Sequence, residues 1–103
     1  MPKFYMAYHD PRDVAPDKKG EMQAEHKAWA SAHAAAFDVP ESPFSAQWTV
    51  DESGVQDGYA SPTMGFCVFT APDAEAAKKI ALDCPFTKMG VLHLAQMMDM
   101  PSV

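Results

Sequence analysis

The residues of this sequence best suited to chemistry are two histidines in the alanine-rich stretch MQAEHKAWASAHAAAF, residues 22–37. His26 and His33 fall on the apolar stripe that this stretch would form as a helix, where leucine or isoleucine is usual. A half-buried imidazole can serve as a general acid or base at pH 7. We take His26 as the first catalytic candidate. His33, nearer the end of the helix, is interpreted as a packed core residue.

A carboxylate beside His26 would raise the pKa of the imidazole and select one tautomer. Asp10, just after the first apolar run, and Asp38, at the end of the alanine-rich stretch, are the two carboxylates that could do this. We predict Asp10 as the catalytic partner of His26. The structural alternatives are a solvated loop residue for Asp10 and a charge at a helix end for Asp38.

No metal site is predicted. Seven residues separate His26 from His33, about 10 Å along a helix axis, whereas zinc needs its nitrogen ligands about 2 Å away. A site that joins His26 to His93 in the last apolar run stays open. Cys67 lies in an apolar run and is interpreted as a small core residue. Cys84 lies at a helix C-terminus, away from the dipole end that lowers a thiol pKa, so neither cysteine is predicted to be a nucleophile.

The elements that must position these residues follow from hydrophobic periodicity. Residues 44–50, FSAQWTV, alternate strictly between apolar and polar side chains, as a half-buried strand does, and the prolines of DVPESP end the preceding helix. Asp73 is the predicted N-cap of the second helix. The pattern predicts strands at 3–9, 44–50, 63–70 and 91–98, and helices at 17–37 and 71–85.

The resulting order, β-α-β-β-α-β, is the ferredoxin-like arrangement with an antiparallel sheet, an α+β fold. It occupies residues 1–103 as a single domain. Two helices cover only one face of a four-stranded sheet, yet the first, third and last strands are apolar on both faces. We therefore predict a homodimer in which a second copy covers the other face.

Composition excludes several classes of function. The chain has 103 residues, 48% hydrophobic and 21% charged, with a net charge of −6 and only eight basic residues in no cluster. This argues against nucleic acid and against anionic membranes as partners. No P-loop, GxGxxG or GxSxG motif and no 18-residue apolar run is present, so we expect no cofactor and no membrane span. Without a signal peptide, the chain is predicted to be cytoplasmic, with reduced thiols.

Several stretches resemble one known family. The segment GFCVFTAPDAEAAKKIALDCPF, followed by GVLHLAQMMDM, is similar to the C-terminal half of YCII-related proteins, and KFYMAYHD resembles their first strand. The resemblance implies a dimeric α/β barrel. By position, His26 matches the first-helix histidine of the family, and Asp10 matches an Asp in some members. One relative is a dehydrochlorinase acting on a hydroxyquinone, and the wider superfamily includes cofactor-free monooxygenases, lactone isomerases and haem proteins.

Two functions are therefore compared. The first is a cofactor-independent lyase or isomerase that acts on a small cyclic or phenolic metabolite by proton transfer through His26. Its pocket would be lined by aromatic residues: Tyr5, Tyr8, Trp29, Phe44 and Trp48. The alternative is a non-catalytic small-molecule-binding or accessory module, with haem bound by His26, His33 or His93 as a minor version. Catalysis requires that His26 line a pocket and have a polar partner.

Overall fold

A four-stranded antiparallel sheet with both helices packed on one face is the frame of the molecule. The computed structural model describes residues 1–13, 15–59 and 63–98. The elements of these residues are, in chain order, β1 (Lys3–His9), α1 (Pro16–Ala32), β2 (Phe37–Pro43), β3 (Trp48–Asp51), β4 (Gly54–Asp57), β5 (Thr63–Thr70), α2 (Ala74–Leu82) and β6 (Val91–Gln96), with short 3-10 helices at Ala34–Ala36 and Pro85–Lys88.

The strand order of the main sheet, β2-β5-β1-β6, confirms the predicted topology. β1 is central and pairs antiparallel with both β5 and β6, while β2 pairs with β5 at the edge. With the β3–β4 hairpin set aside, the chain order is β-α-β-β-α-β, as the ferredoxin-like fold requires. The N-cap of α2 is also confirmed, because a carboxylate oxygen of Asp73 accepts a hydrogen bond from the Ala76 N–H at 2.8 Å.

The predicted position of the second strand is wrong. The strand of the main sheet is Phe37–Pro43, which contains both prolines that were interpreted as a break. Proline is tolerated there because β2 is an edge strand, whose outer side has no ladder hydrogen bonds to make. The first helix is correspondingly shorter than predicted and ends at Ala32.

The alternating stretch 44–50 lies mostly outside the main sheet. Its last residues begin β3, which pairs with β4 in a separate two-stranded hairpin. Trp48 is 59% exposed and Val50 is 70% exposed. Of the predicted strand, only residues 48–50 are extended as a strand, and the apolar face that the alternation implied is not buried within this chain. The last strand ends at Gln96, two residues before its predicted end.

The core lies between the sheet and the two helices. Its sheet side consists mainly of Phe4 and Met6 of β1 and of Phe69 of β5, all fully buried. Trp29 of α1 packs on this layer, and its indole N–H donates to the carbonyl oxygen of Ile80 in α2 at 3.1 Å. This bond satisfies the one polar atom of the tryptophan and holds the two helices together above the sheet.

The opposite face of the sheet carries a half-buried aromatic layer. Tyr5 and Phe66 are stacked there with ring centroids 5.8 Å apart, beside Val68. This is the face that the predicted homodimer would cover, and the homodimer stays a prediction. Neither helix in the described part of the chain has the length and apolar character to cross a bilayer.

Candidate active site

The apolar stripe of the first helix is where the sequence predicted it. Within α1 the side chains that are not exposed are Met22, His26, Trp29 and Ala30. His26 packs against Trp29, one turn further along, with ring centroids 5.6 Å apart. The imidazole is half-buried, with 33% of its side chain exposed. Helix periodicity alone thus aims His26 at the sheet.

The polar partner of His26 is Glu41, on the edge strand β2. The imidazole Nε2 lies 2.7 Å from both carboxylate oxygens of Glu41. The hydroxyl of Tyr8, on the central strand β1, donates a hydrogen bond to Oε2 of the same carboxylate. Three elements that are distant in sequence therefore meet at one carboxylate, of which 24% of the side chain is exposed.

A bulge in β2 aims Glu41 toward the helix. Val39 pairs with Val68 and Ser42 with Phe66, so three steps along β2 oppose two along β5. The extra residue reverses the alternation, and Glu41 consequently lies on the helix face instead of sharing the outer face with Val39. Such bulges are common beside active sites because they re-aim a side chain.

Gly65 of β5 lets β2 approach closely at this point. A Cβ on Gly65 would lie 2.5 Å from the carbonyl oxygen of Ser42 and 2.9 Å from the Cα of Pro43. Both contacts are shorter than van der Waals distance and involve backbone atoms, which cannot move aside as a flexible side chain would. Only glycine fits there, and this close approach places Glu41 within reach of His26.

The electrostatics favour an imidazolium–carboxylate pair. Hydrogen bonding to the buried Cys84 side chain and to Glu41 raises the pKa of His26 to about 10, although burial acts in the opposite direction. The two hydrogen bonds with full donor–acceptor geometry both go to Glu41, and a carboxylate accepts more strongly than sulfur. We therefore assign the larger share of the shift to Glu41. At neutral pH His26 carries a proton and a positive charge.

The pKa values of Glu41 and Tyr8 shift in directions that preserve this ion pair. Burial acts to raise the pKa of Glu41, but the hydrogen bonds from His26 and Tyr8 outweigh it, and the pKa of the carboxyl is lowered. Burial and the bond to Glu41 raise the pKa of Tyr8, so its hydroxyl stays protonated and acts as a donor. The carboxylate is thus held ionised between two donors.

Both cysteines lie behind this network. Cys67 is fully buried, and its Sγ lies 3.7 Å from the Tyr8 hydroxyl. Burial raises the pKa of the Cys67 thiol to about 11, which suits the predicted core residue better than a nucleophile. Cys84 is also fully buried, and both thiols are free.

Two adjoining cavities meet at His26. The smaller, about 210 Å³, is mostly apolar apart from the pair itself and is lined by Tyr8, His26, Glu41, Ser42, Pro43, Met64, Gly65 and Phe86. The larger, about 650 Å³, opens between α1, the loop after β1 and the second 3-10 helix. His26, Met64 and Phe86 line both cavities, so the imidazole lies at their common wall.

The structure does not bring the predicted carboxylates to His26. Asp10 is exposed at the end of β1, with a φ of 52°, and Asp38 accepts a hydrogen bond from the Thr70 hydroxyl at 2.6 Å. A catalytic role for Asp10 stays a prediction. The carboxylate that the sequence analysis missed is Glu41, because its strand was placed seven residues too late and the bulge breaks the alternation that could have identified its face.

The other predicted participants also lie elsewhere. His33 is half-buried at the end of α1 and packs against Trp29, with ring centroids 5.6 Å apart. His93 lies on the opposite sheet face, 6.2 Å from the ring of His9, so His26 and His93 share no site. Of the five predicted pocket aromatics, only Tyr8 lines a cavity described above, and Phe86, which was not predicted, lines both.

With this geometry established, comparison with known proteins identifies the family. The model of the YCII-related domain matches residues 1–101. The chain belongs to the YCII-related family. Among solved structures, it is similar to 5-chloro-2-hydroxyhydroquinone dehydrochlorinase from Burkholderia phenoliruptrix AC1100, in complex with 2,5-dihydroxybenzoquinone.

That similarity has a TM-score of 0.59 at 17% sequence identity, and it covers 92% of this chain and 93% of the dehydrochlorinase. A likeness at this identity establishes a shared fold. A search of curated proteins returned no match. The predicted family is therefore confirmed, and so is the α+β fold class.

Proposed function

We propose that this YCII-related protein is a cofactor-independent enzyme of the lyase or isomerase type that acts on a small molecule. One observation carries the proposal: His26, paired with Glu41, lies at the wall shared by two adjoining cavities. Membership of the family supports it, and so does a fold shared with a dehydrochlorinase bound to a quinone.

In this proposal His26 acts first as a proton donor. A pKa of about 10 makes the imidazole a cation at neutral pH, so of the two roles that the sequence left open, general acid or base, His26 begins as the acid. It can give its proton to an enolate or phenolate of the substrate, or to a leaving group. It can also stabilise the negative charge that develops in such a step. An apolar cavity strengthens this electrostatic interaction.

Glu41 and Tyr8 are positioning residues in this scheme. The lowered pKa of Glu41 makes its carboxylate a poor proton acceptor, so its part is to orient the imidazole ring and to keep it charged. Tyr8 donates to the same carboxylate and limits its rotation. We assign to Glu41 the orienting role predicted for Asp10, and a parallel comparison of Glu41→Gln with Asp10→Asn would test this assignment.

The proposed substrate is a small cyclic or phenolic metabolite. The cavity of about 210 Å³ beside the pair presents Phe86, Pro43 and Met64, which suit the face of a ring. The larger cavity gives access from solvent.

The test begins with a thermal-shift screen of a metabolite library on the full chain, followed by turnover assays with each stabilising compound. His26→Ala is expected to lower kcat by about 100-fold or more, the usual contribution of a positioned proton donor. His33→Ala, on the same helix stripe, is the matched control and is expected to stay within about twofold of wild type in kcat, because that ring only packs.

Circular dichroism of each variant separates catalysis from folding. If His26→Ala does not fold, His26→Gln keeps most of the side-chain volume and provides the same test. Unchanged turnover in a folded His26 variant would overturn the proposal.

A non-catalytic ligand-binding module is the second candidate. The observation in its favour is the resting charge of His26, since an imidazolium in an apolar cavity binds an anion without any chemistry. The two candidates differ in one result. Stoichiometric binding of a compound that is recovered unchanged after long incubation would favour the binding module.

We also propose that the protein works as a cytoplasmic homodimer, with the Tyr5–Phe66 face of the sheet as the interface. The half-buried aromatic layer on that face supports the proposal, and the two free thiols suit a reducing compartment. Sedimentation velocity at micromolar concentration should show a dimer for wild type and a monomer for Phe66→Asp. A monomeric wild-type protein would contradict it.

A further inference from the structure

Positive charge is concentrated around the larger cavity in a chain that is acidic overall. The net charge of the chain is −6, and only eight of its residues are Lys or Arg. Three of these eight, Arg12, Lys19 and Lys27, line the cavity of about 650 Å³, together with the His26 cation. Among the described residues, Asp13 is the one acidic residue in the lining. The cavity is therefore locally positive although the molecule is not.

Within the described residues, the charges of Arg12, Lys19 and Lys27 are not neutralised by ion pairs, whereas His26 is paired with Glu41. Salt bridges within the described residues join Lys78 to Glu75, Lys88 to Glu25 and His26 to Glu41, and none includes Arg12, Lys19 or Lys27. A cation without a carboxylate partner can accept a new anion without first breaking an existing pair. The three side chains are exposed, so their effect on an anion at the rim is moderate and depends on salt.

Arg12 is held in place by hydrogen bonds from both its backbone and its side chain. Its backbone N–H donates to the carbonyl oxygen of Met89 at 2.7 Å. Its guanidinium donates to the carbonyl oxygens of Met89 and Lys88 at 3.4 and 3.3 Å. These neutral acceptors hold the side chain across the cavity rim and leave its charge in place, with further N–H groups free for a bidentate contact.

The rest of the lining is apolar. Met22, Met64, Met89, Phe86, Pro11 and Pro85 form the walls between the charged rim and His26. Methionine side chains adapt to a flat ligand, and the volume falls in the range of small-molecule sites. A ligand that satisfies both parts needs an apolar ring for the walls and an anionic group for the cations.

We infer that the larger cavity binds an organic anion, a ring compound with a carboxylate or phenolate group, recognised by Arg12 and Lys27 at the rim and by His26 at the inner end. The inference rests on the proposed function in taking the cavities beside His26 as the ligand site. It adds the charge of the ligand, which the family and the fold do not specify.

The test compares benzoate with benzamide, which have the same ring and nearly the same shape but differ in charge. Binding to the full-length chain is followed by NMR titration at low salt, with the ring resonances of His26 as the reporter. Benzoate is expected to bind at least about 2- to 5-fold more tightly than benzamide, the range that one exposed ion pair supports. The difference should shrink as salt is added.

Two single variants test the rim residues. Arg12→Gln and Lys27→Gln are each expected to weaken benzoate binding by about 2- to 5-fold and to leave benzamide unchanged. Lys78→Gln, on α2 outside the cavity lining, removes the same charge and is the matched control. Lys27→Gln keeps the test valid if Arg12→Gln does not fold, because Lys27 lies on the exposed side of α1.

The outcomes separate this inference from the proposed function. Equal affinities for the two probes, with the His26 resonances shifted by both, would overturn the inference and leave the site of the proposed function standing. A loss of benzoate affinity in Lys78→Gln as large as in Arg12→Gln would also overturn it. Selective benzoate binding that needs Arg12 and Lys27, in a protein that turns over no compound, would support the inference while the enzymatic proposal fails.

Discussion

Helix α1 and the residue that follows it carry two histidines in very different surroundings: His26 lies within the helix, and His33 is its C-cap. His26 lies beside Glu41 and at the wall of two cavities, whereas His33 packs on Trp29 at the point where the helix ends. Both imidazoles pack against Trp29, so the helix core treats them alike. The difference comes from the edge strand, whose bulge places a carboxylate beside His26 only. Whether a histidine on an apolar stripe is suited to acid–base chemistry therefore depends on its neighbours.

Trp29 lies between the two histidines and packs against both. Trp29→Ala removes the largest buried side chain of α1 and the hydrogen bond to Ile80, and it should lower the free energy of unfolding by about 3–5 kcal/mol. Urea unfolding followed by circular dichroism measures this. Trp29→Phe, which keeps a ring but loses the indole N–H, should cost clearly less. An equal loss in both variants would mean that the hydrogen bond, and not the packing, joins the helices.

Gly65→Ala tests whether the edge strand creates the difference between the two histidines. The added methyl group collides with the backbone of Ser42 and Pro43, so β2 must move, at a cost of about 1–3 kcal/mol in the free energy of unfolding. Glu41 moves with it, and the pKa of His26 should fall, while the resonances of His33 should stay in place. An unchanged pKa of His26 in the folded variant would show that the position of Glu41 does not depend on the close approach of β2 to Gly65.

Glu41→Gln removes the charge that distinguishes the surroundings of His26 from those of His33 and keeps the side-chain shape. The His26 pKa should fall by more than one unit from its value of about 10, and the free energy of unfolding at pH 6 should fall by about 1–2 kcal/mol, between the values for exposed and buried pairs. NMR titration of the imidazole gives the pKa. A fall of less than one unit would mean that hydrogen bonding to Cys84, and not to Glu41, causes most of the raised pKa of His26.

The same pair makes stability depend on pH in a defined window. Because the His26 pKa is raised from 6.5 to about 10, its contribution is complete below pH 6.5 and is lost as the pH rises toward 10. The lowered pKa of Glu41 gives a contribution that is present above its ordinary value of 4.5 and lost as the pH falls through its folded value. Wild type should therefore lose more stability than Glu41→Gln between pH 6.5 and 10. An equal loss in the free energy of unfolding of both proteins over this pH range, measured by urea unfolding, would contradict this.

His33→Gln is expected to have the smallest effect. The ring is half-buried and only packs, so the change in the free energy of unfolding should be within about 1 kcal/mol, with no change in ligand binding. Thermal unfolding and the benzoate titration measure both quantities. A change in affinity at the cavity beside His26 would show that the surroundings of the two histidines are coupled.

Features that depend on residues close together in the chain could be predicted from the sequence. The stripe of Met22, His26 and Trp29 follows from helix periodicity, and the Asp73 cap follows from the preference of one residue for one position. The strands Lys3–His9 and Thr63–Thr70 were placed correctly because long apolar runs identify central strands. Together with the last strand, and with a second strand that was predicted seven residues too late, these elements give the β-α-β-β-α-β order, from which the fold class followed.

The features that only the tertiary structure decided depend on which distant residues pack against a given segment. Whether the alternating stretch 44–50 is buried depends on what packs against it, and β2 is an edge strand only because β5 pairs with it on one side. The partnership of His26 with Glu41 spans fifteen residues, and its geometry depends on a bulge and on the glycine at position 65 of another strand. Local patterns do not encode such distances, so the sequence by itself determined where the imidazole points, and the assembled sheet decided what it meets.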